Sequence, residues 1–236
     1  MAEATIRDEL VTSPLSAVIF DMDGVVIDSQ PSANRALVEA AASFGVRLSV
    51  AELEDLVGAS QLQFWTYVKA RYRLPEPIDF YAATYNEDRE IAGYVETLLS
   101  PGLTPLMAEL RGAGLHLALA TSGSRRRMNA VIEMFDLAQW LDAALCQDDA
   151  EREKPAPDLY LAAASMLGVP PGACLAIEDS SPGIAAARAA GMPVLGFTAY
   201  CGPNSVRPGA QAYLTSFEGL DLSELRRLWA ASRSRA

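Results

Sequence analysis

Short apolar runs recur along the chain at Ala17–Phe20, Leu115–Ala120, Ala143–Cys146, Ala173–Ile177 and Val194–Phe197, with a weaker one at Ala212–Leu214. They read as buried strands. Between them lie amphipathic or alanine-rich stretches that read as helices, near Pro105–Arg111, Arg125–Phe135, Asp158–Leu167, Gly183–Ala190 and Glu218–Ala231. Strands alternating with helices predict a parallel α/β sheet. From residue 31 to residue 99 the rhythm changes. No strand is evident, and the apolar spacing predicts helices over Ala33–Phe44, Val50–Val57, Gln61–Tyr72 and Phe80–Leu98. The aromatics Phe64, Trp65, Tyr67, Tyr72, Phe80, Tyr81 and Tyr85 read as packing residues of that helical part. The expected plan is an α/β core of residues 1–30 and 100–236, with an all-helical insertion, residues 31–99, after the first strand.

Composition narrows the function classes. The chain has 236 residues, half of them apolar, and a net charge of −11. That balance argues against a broad basic face for nucleic acid. No apolar run has the length of a membrane span. The residues up to Pro14 carry acids and no apolar stretch of the secretory kind, and the three cysteines, Cys146, Cys174 and Cys201, show no C-x-x-C spacing. A cytoplasmic protein with free thiols is the expectation. The one histidine, His116, stands near the start of its strand run and excludes a multi-histidine metal site. Chemistry here falls to carboxylates, lysine and hydroxyls.

Those groups gather where strands end. Asp21 and Asp23 follow Ala17–Phe20, and on an extended backbone residues two apart face the same side. Such a pair is repulsive unless a cation or a division of protonation states relieves it. Thr121-Ser122-Gly123-Ser124 follows the second run, and offers either a phosphate cradle or a plain helix N-cap. Lys154 stands between Glu153 and a proline-stiffened segment, as a held lysine or a surface one. Glu178 and Asp179 end the fourth run, either as hard oxygen ligands for Mg²⁺ or as helix-capping acids. Open parallel sheets hold ligands at this edge. Together the four clusters carry the groups of metal-assisted phosphoryl transfer.

In this order, Asp21-Met22-Asp23-Gly24-Val25-Val26-Ile27-Asp28-Ser29, Thr121-Ser122, Lys154-Pro155 and Glu178-Asp179-Ser180-Ser181-Pro182-Gly183-Ile184 resemble the four motifs of the haloacid dehalogenase superfamily. The helical insertion resembles the small cap of its β-phosphoglucomutase-like and phosphoglycolate-phosphatase-like branch. The resemblance implies a Rossmann-like core and a capped active site. Asp21 would attack a phosphate monoester and become an aspartyl phosphate, and Asp23 would protonate the leaving oxygen and then activate water. Mg²⁺ would be held by the Asp21 carboxylate, the Asp23 carbonyl and Asp179, with Glu178 as an outer or direct partner. Thr121 and the backbone N–H groups of Ser122 and Gly123 would bind the transferring phosphate, and Lys154 would neutralise charge.

Substrate choice is less defined. The mutase pattern has a histidine early in the first cap helix, and a lysine and an arginine about the first cap loop. Here Ala33, Val57 and Gln61 stand in those places. Lys69, in a helix, does not resemble the Schiff-base lysine of phosphonoacetaldehyde hydrolases. Candidate specificity residues are Asn34, Arg35, Ser60, Gln61, Arg125 and Arg126, each of which also suits a solvated surface. The expected function is a Mg²⁺-dependent phosphatase for a small sugar or polyol phosphate, acting as a monomer or small homo-oligomer. A sugar phosphomutase is the alternative, and a non-catalytic binding protein on the same fold a further one.

Overall fold

The chain runs β1 (Ala17–Phe20), α1 (Gln30–Ala42), α2 (Val50–Asp55), α3 (Gln61–Tyr72), α4 (Ile78–Ala82), α5 (Glu87–Gly93), α6 (Leu103–Gly112), β2 (His116–Ala120), α7 (Arg125–Met134), β3 (Ala143–Leu145), α8 (Asp158–Leu167), β4 (Cys174–Glu178), α9 (Ser181–Ala189), β5 (Val194–Phe197), β6 (Ala212–Leu214) and α10 (Leu222–Arg233). This computed structural model describes residues 14–56, 61–200 and 208–233. Cys201, Val57 and Ser60 lie outside them. The chain divides into two units, Met1–Asp28 with Leu99–Ala236, and Ser29–Leu98.

In the first unit one parallel sheet has the order β3-β2-β1-β4-β5-β6. β1, β4 and β5 are buried along their whole length, which explains their unbroken apolar sequences. On one face Ala17, Ile19, Ala118, Ala120 and Ala176 meet Leu159, Tyr160, Ala163 and Ala164 of α8, together with Ile184, Ala186 and Ala187 of α9. Alanine on both partners lets the helices lie close to the sheet. Phe20, the neighbour of Ile19, points to the other face and meets Phe217 edge-on, with ring centroids 6.2 Å apart. Phe217 stacks on Phe197 at 4.4 Å. Phe20 is level with both Leu119 and Ile177, so β1, β2 and β4 end side by side. That register determines where the next residues of each strand emerge.

Helix ends differ from expectation where a cap decides them. α9 begins at Ser181 because the Ser180 hydroxyl accepts from the Gly183 N–H at 3.0 Å and Pro182 suits the first turn. α10 begins at Leu222, where Asp221 accepts from the Glu224 N–H at 2.8 Å. The helix expected over Phe80–Leu98 is divided. α4 and α5 are separate, since Asn86 caps α5 by accepting from the Asp88 N–H at 2.9 Å, and a 3₁₀ turn, Tyr94–Glu96, follows. His116 is exposed at the start of β2, its Nδ1 3.2 Å from Asp142.

The helical unit has its own core of Leu37, Ala41, Phe64, Trp65, Val68 and Tyr81. Trp65 and Tyr81 stack at 5.5 Å, and Phe44 meets Tyr81 edge-on at 4.9 Å. The aromatic stripe is thus packing. Ser49 and Glu52 close the start of α2 reciprocally, the Ser49 N–H donating to the Glu52 carboxylate at 2.9 Å and the Glu52 N–H to the Ser49 hydroxyl at 3.3 Å. Lys69 donates to the carbonyls of Leu74 at 2.8 Å, Pro75 at 3.3 Å and Glu76 at 2.5 Å, so its ammonium closes a turn. Among the described residues no helix is long and apolar enough to cross a membrane.

Candidate active site

Beyond β1 the backbone doubles back. The N–H groups of Val26 and Ile27 donate to the Met22 carbonyl at 2.9 and 3.2 Å, and Gly24 donates to the Ile27 carbonyl at 2.8 Å. Gly24 takes φ +79°, and a Cβ there would stand 2.4 Å from Asp179 Oδ2. Glycine is therefore required twice, by the left-handed backbone and by the approach of the Asp179 carboxylate. Met22 is buried.

Asp21 is buried at this turn and accepts a 2.6 Å bond from Lys154 Nζ. The same ammonium donates to Glu178 Oε1 at 2.7 Å and to the Ala120 carbonyl at 3.1 Å. Lys154 thus joins the ends of β1, β2 and β4. Tyr160 of α8 supports it, with the ammonium 5.0 Å over the ring centroid and the hydroxyl donating to Glu178 Oε1 at 3.0 Å. Glu178 Oε2 accepts from the N–H of Ser180 at 3.0 Å and from its hydroxyl at 2.9 Å. A Cβ on Gly183 would lie 1.6 Å from Glu178 Oε1, so this helix must begin with glycine near its start for the carboxylate to fit.

Asp23 is served by other groups. Its Oδ1 accepts from Arg127 Nη2 at 2.7 Å, and Thr121 donates to its Oδ2 at a longer 3.4 Å. Thr121 is buried and its hydroxyl accepts from the Gly123 N–H at 2.9 Å, which closes the loop after β2. Ser122 is exposed there. Ser124 caps α7 by accepting from the Arg127 N–H at 3.2 Å.

The electrostatics are lopsided. Burial pushes the Asp21 carboxyl well above the usual carboxylate range, and although Lys154 opposes this, Glu178, Asp179 and Asp23 push the same way. Burial alone would lower the Lys154 ammonium, but Asp21 and Glu178 outweigh it and hold the group charged to unusually high pH. Burial, then the Glu178 charge, likewise raise the Tyr160 phenol well above its usual value. Ligand oxygens of Asp21, Glu178 and Asp179 lie within 4.8 Å of one another. Three carboxylates beside one ammonium leave two negative charges, which one divalent cation would balance. The donors are all hard oxygens, a set that fits Mg²⁺.

Asp21, Thr121, Lys154, Glu178 and Asp179 stand at the ends of β1, β2 and β4 or in the loops beside them. Other candidates are engaged locally. Arg125 pairs with Asp149 at 2.5 Å on the exposed side of α7, and Arg126 is exposed. In the helical unit Asn34 accepts from Gln30 at 2.8 Å, Arg35 pairs with Glu96 at 2.8 Å, and Gln61 donates to the Ala82 carbonyl at 3.2 Å. Arg127, which holds Asp23, and Tyr160, which holds Glu178, are absent from the sequence-derived set. Arg127 had a signal, since it completes three arginines in a first helical turn, the end where the helix dipole disfavours cations. Tyr160 had none, because it reads as one more core residue of α8.

Residues 15–191 match the family model described as haloacid dehalogenase-like hydrolase. The chain is 34% identical over 180 residues to hexitol phosphatase B of Escherichia coli, covering 75% of this chain and 80% of that protein. It is 33% identical over 188 residues to Protein SUPPRESSOR OF QUENCHING 1, chloroplastic, of Arabidopsis thaliana, covering 75% of this chain but 17% of that longer protein. In three dimensions it is similar to CbbY from Rhodobacter sphaeroides in complex with phosphate, at a TM-score of 0.73 and 28% identity, over 89% of this chain and 99% of that one. With the match spanning β1 through α9, and with the strand-end acids and lysine within it, the chain belongs to the haloacid dehalogenase-like hydrolases, in their β-phosphoglucomutase-like branch, and is an enzyme of that family.

Proposed function

We propose that the protein is a Mg²⁺-dependent phosphatase of small sugar or polyol phosphates that works through an aspartyl phosphate. One observation carries the reading: the buried Asp21 carboxylate has one oxygen held by Lys154 at 2.6 Å, which leaves the other to attack. The kinship with hexitol phosphatase B supports the substrate class, and that with phosphate-bound CbbY supports a phosphate ligand.

In this reading Asp21 attacks phosphorus, the bond to the leaving oxygen breaks, and its electron pair stays on that oxygen, which takes a proton from Asp23. Water then attacks the aspartyl phosphate, Asp23 takes its proton, and Asp21 is released with inorganic phosphate. Thr121 and the N–H group of Ser122 orient the phosphoryl oxygens, and Gly123, whose N–H donates to the Thr121 hydroxyl, shapes the loop that presents them. Lys154 holds Asp21 and offsets charge. The Asp21 and Asp179 carboxylates, with the Asp23 carbonyl, would hold Mg²⁺, and Glu178, whose oxygens already accept from Lys154, Tyr160 and Ser180, would stand outside them. The ion would supply positive charge against Asp21 and the phosphate. The helical unit, residues 31–99, serves as the cap that selects the leaving group, with Asn34, Arg35, Ser60 and Gln61 its candidate residues.

A panel of sugar phosphates, polyol phosphates, phosphoglycolate and nucleotides, assayed with Mg²⁺ for released phosphate, tests this. Turnover is expected with at least one sugar or polyol phosphate, and Asp21→Asn is expected to lower it by about 10⁴-fold or more. Full turnover by Asp21→Asn would remove Asp21 from the role of nucleophile.

A further inference from the structure

Two acids that stand two residues apart draw on different cations. Lys154 serves Asp21 at 2.6 Å, and Arg127 serves Asp23 at 2.7 Å. Arg127 sits in the first turn of α7, where the helix dipole disfavours a cation, yet its side chain is only 18% exposed, against 47% for Arg125 on the same turn. The two arginines diverge, Arg125 outward to Asp149 and Arg127 inward. The inner guanidinium lies against the loop after β2, since a Cβ on Gly123 would be 3.5 Å from Arg127 Nη1 and 3.2 Å from Thr121 Oγ1. Asp23 is therefore gripped at both oxygens by groups of one short segment, Thr121 and Arg127.

A planar guanidinium constrains the direction of the carboxylate it binds, not only its charge. We propose that Arg127 is a positioning residue for the leaving-group side of the reaction, holding Asp23 at the loop that binds the phosphoryl group. The proposal rests on the phosphatase reading above. The step it serves is the passage of a proton from an Asp23 oxygen to the leaving oxygen while the phosphorus–oxygen bond breaks and the bond to Asp21 forms. Arg127 gives up no proton and touches no reacting atom. An alkyl oxygen leaves poorly without that proton, whereas p-nitrophenolate leaves well without it. Loss of Arg127 should therefore discriminate between leaving groups, which loss of a merely structural ion pair would not.

The test compares kcat/KM, which reports the first phosphoryl transfer, for sorbitol 6-phosphate (or the alkyl phosphate of the panel that the wild type hydrolyses fastest) and for p-nitrophenyl phosphate. Arg127→Met is expected to lose roughly 10- to 100-fold on the alkyl ester and less than about 3-fold on the aryl ester. Arg127→Lys should fall between Arg127→Met and wild type on the alkyl ester, and it carries the same comparison if Arg127→Met fails to fold. Asp23→Asn should show the same discrimination, and adding Arg127→Met to it should cost less than about 3-fold more on the alkyl ester. Equal losses on both esters, no loss on either, or full multiplication of losses in the double variant would overturn the proposal. A wild type that hydrolyses neither ester would instead overturn the phosphatase reading, and this role with it.

Discussion

Glu178 and Glu90 are both fully buried carboxylates, one in each unit, and they are satisfied by different means. Glu90, on α5, accepts from the hydroxyls of Tyr85 at 2.6 Å and Tyr94 at 2.8 Å. These two hydroxyls lie five and four residues away, and they tie α5 to its own flanks. Glu178 accepts from an ammonium, a phenol, a hydroxyl and an N–H, contributed by the loop before α8, by α8 and by the start of α9. It also lies among Asp21 and Asp179. A buried acid that only has to hold a fold together can use nearby neutral donors. Crowding three acids about one lysine costs stability, and such a cost is retained where a charged ligand offsets it.

That contrast can be broken from either side. The largest effect is expected from Lys154→Met, which leaves Asp21 and Glu178 buried without their ammonium. About 3–5 kcal/mol of stability should be lost, read from denaturant midpoints, together with most phosphatase turnover. A loss no greater than that of Glu90→Gln, expected near 1 kcal/mol, would erase the distinction between the two sites. Next in size is Gly24→Ala, in which a left-handed backbone and a Cβ 2.4 Å from Asp179 act together. It should cost on the order of 1–3 kcal/mol, and, if the cluster holds Mg²⁺ as proposed, it should raise the Mg²⁺ concentration needed for half-maximal turnover as Asp179 is displaced. Gly45, also left-handed at φ +77° but with nothing within 4 Å of its Cβ position, is the control for backbone strain alone.

The smallest effect sharpens the side of the helical unit. Backbone and hydroxyl hydrogen bonds from Ser49, then Tyr72 and Arg71, lower the Glu52 carboxyl from 4.5 to about 2. A carboxyl depressed in the folded state adds stability above its unfolded pKa and loses it as pH falls through the folded one. Glu52→Gln should therefore melt below wild type at pH 7, and the gap should close between about pH 4.5 and pH 2. A gap independent of pH would mean that the carboxylate charge contributes nothing there.

The strands were legible because burial on both sides leaves an unmixed apolar signature, as in Ala17–Phe20 and Val194–Phe197. Helix ends were less so, because one capping side chain decides them. Ser180, Asp221 and Asn86 each moved a boundary, and Asn86 divided a helix. At the site, the acids of β1 and β4 could be located because a parallel register brings strand ends level. Partners that reach in from a helix leave a fainter trace. Arg127 was one arginine of three, and Tyr160 is indistinguishable in sequence from the core residues around it.

Ser180 has a consequence of another kind. Its hydroxyl accepts from the first turn of α9 and donates to Glu178, which in turn holds Lys154. Winding of that turn and assembly of the charged cluster are thus parts of one cooperative unit. A fluctuation that unwinds the first turn of α9 frees Glu178 and slackens Lys154 at the same moment. Occupancy of the cluster by a phosphate and a cation should accordingly slow amide hydrogen exchange at Gly183 and Ile184.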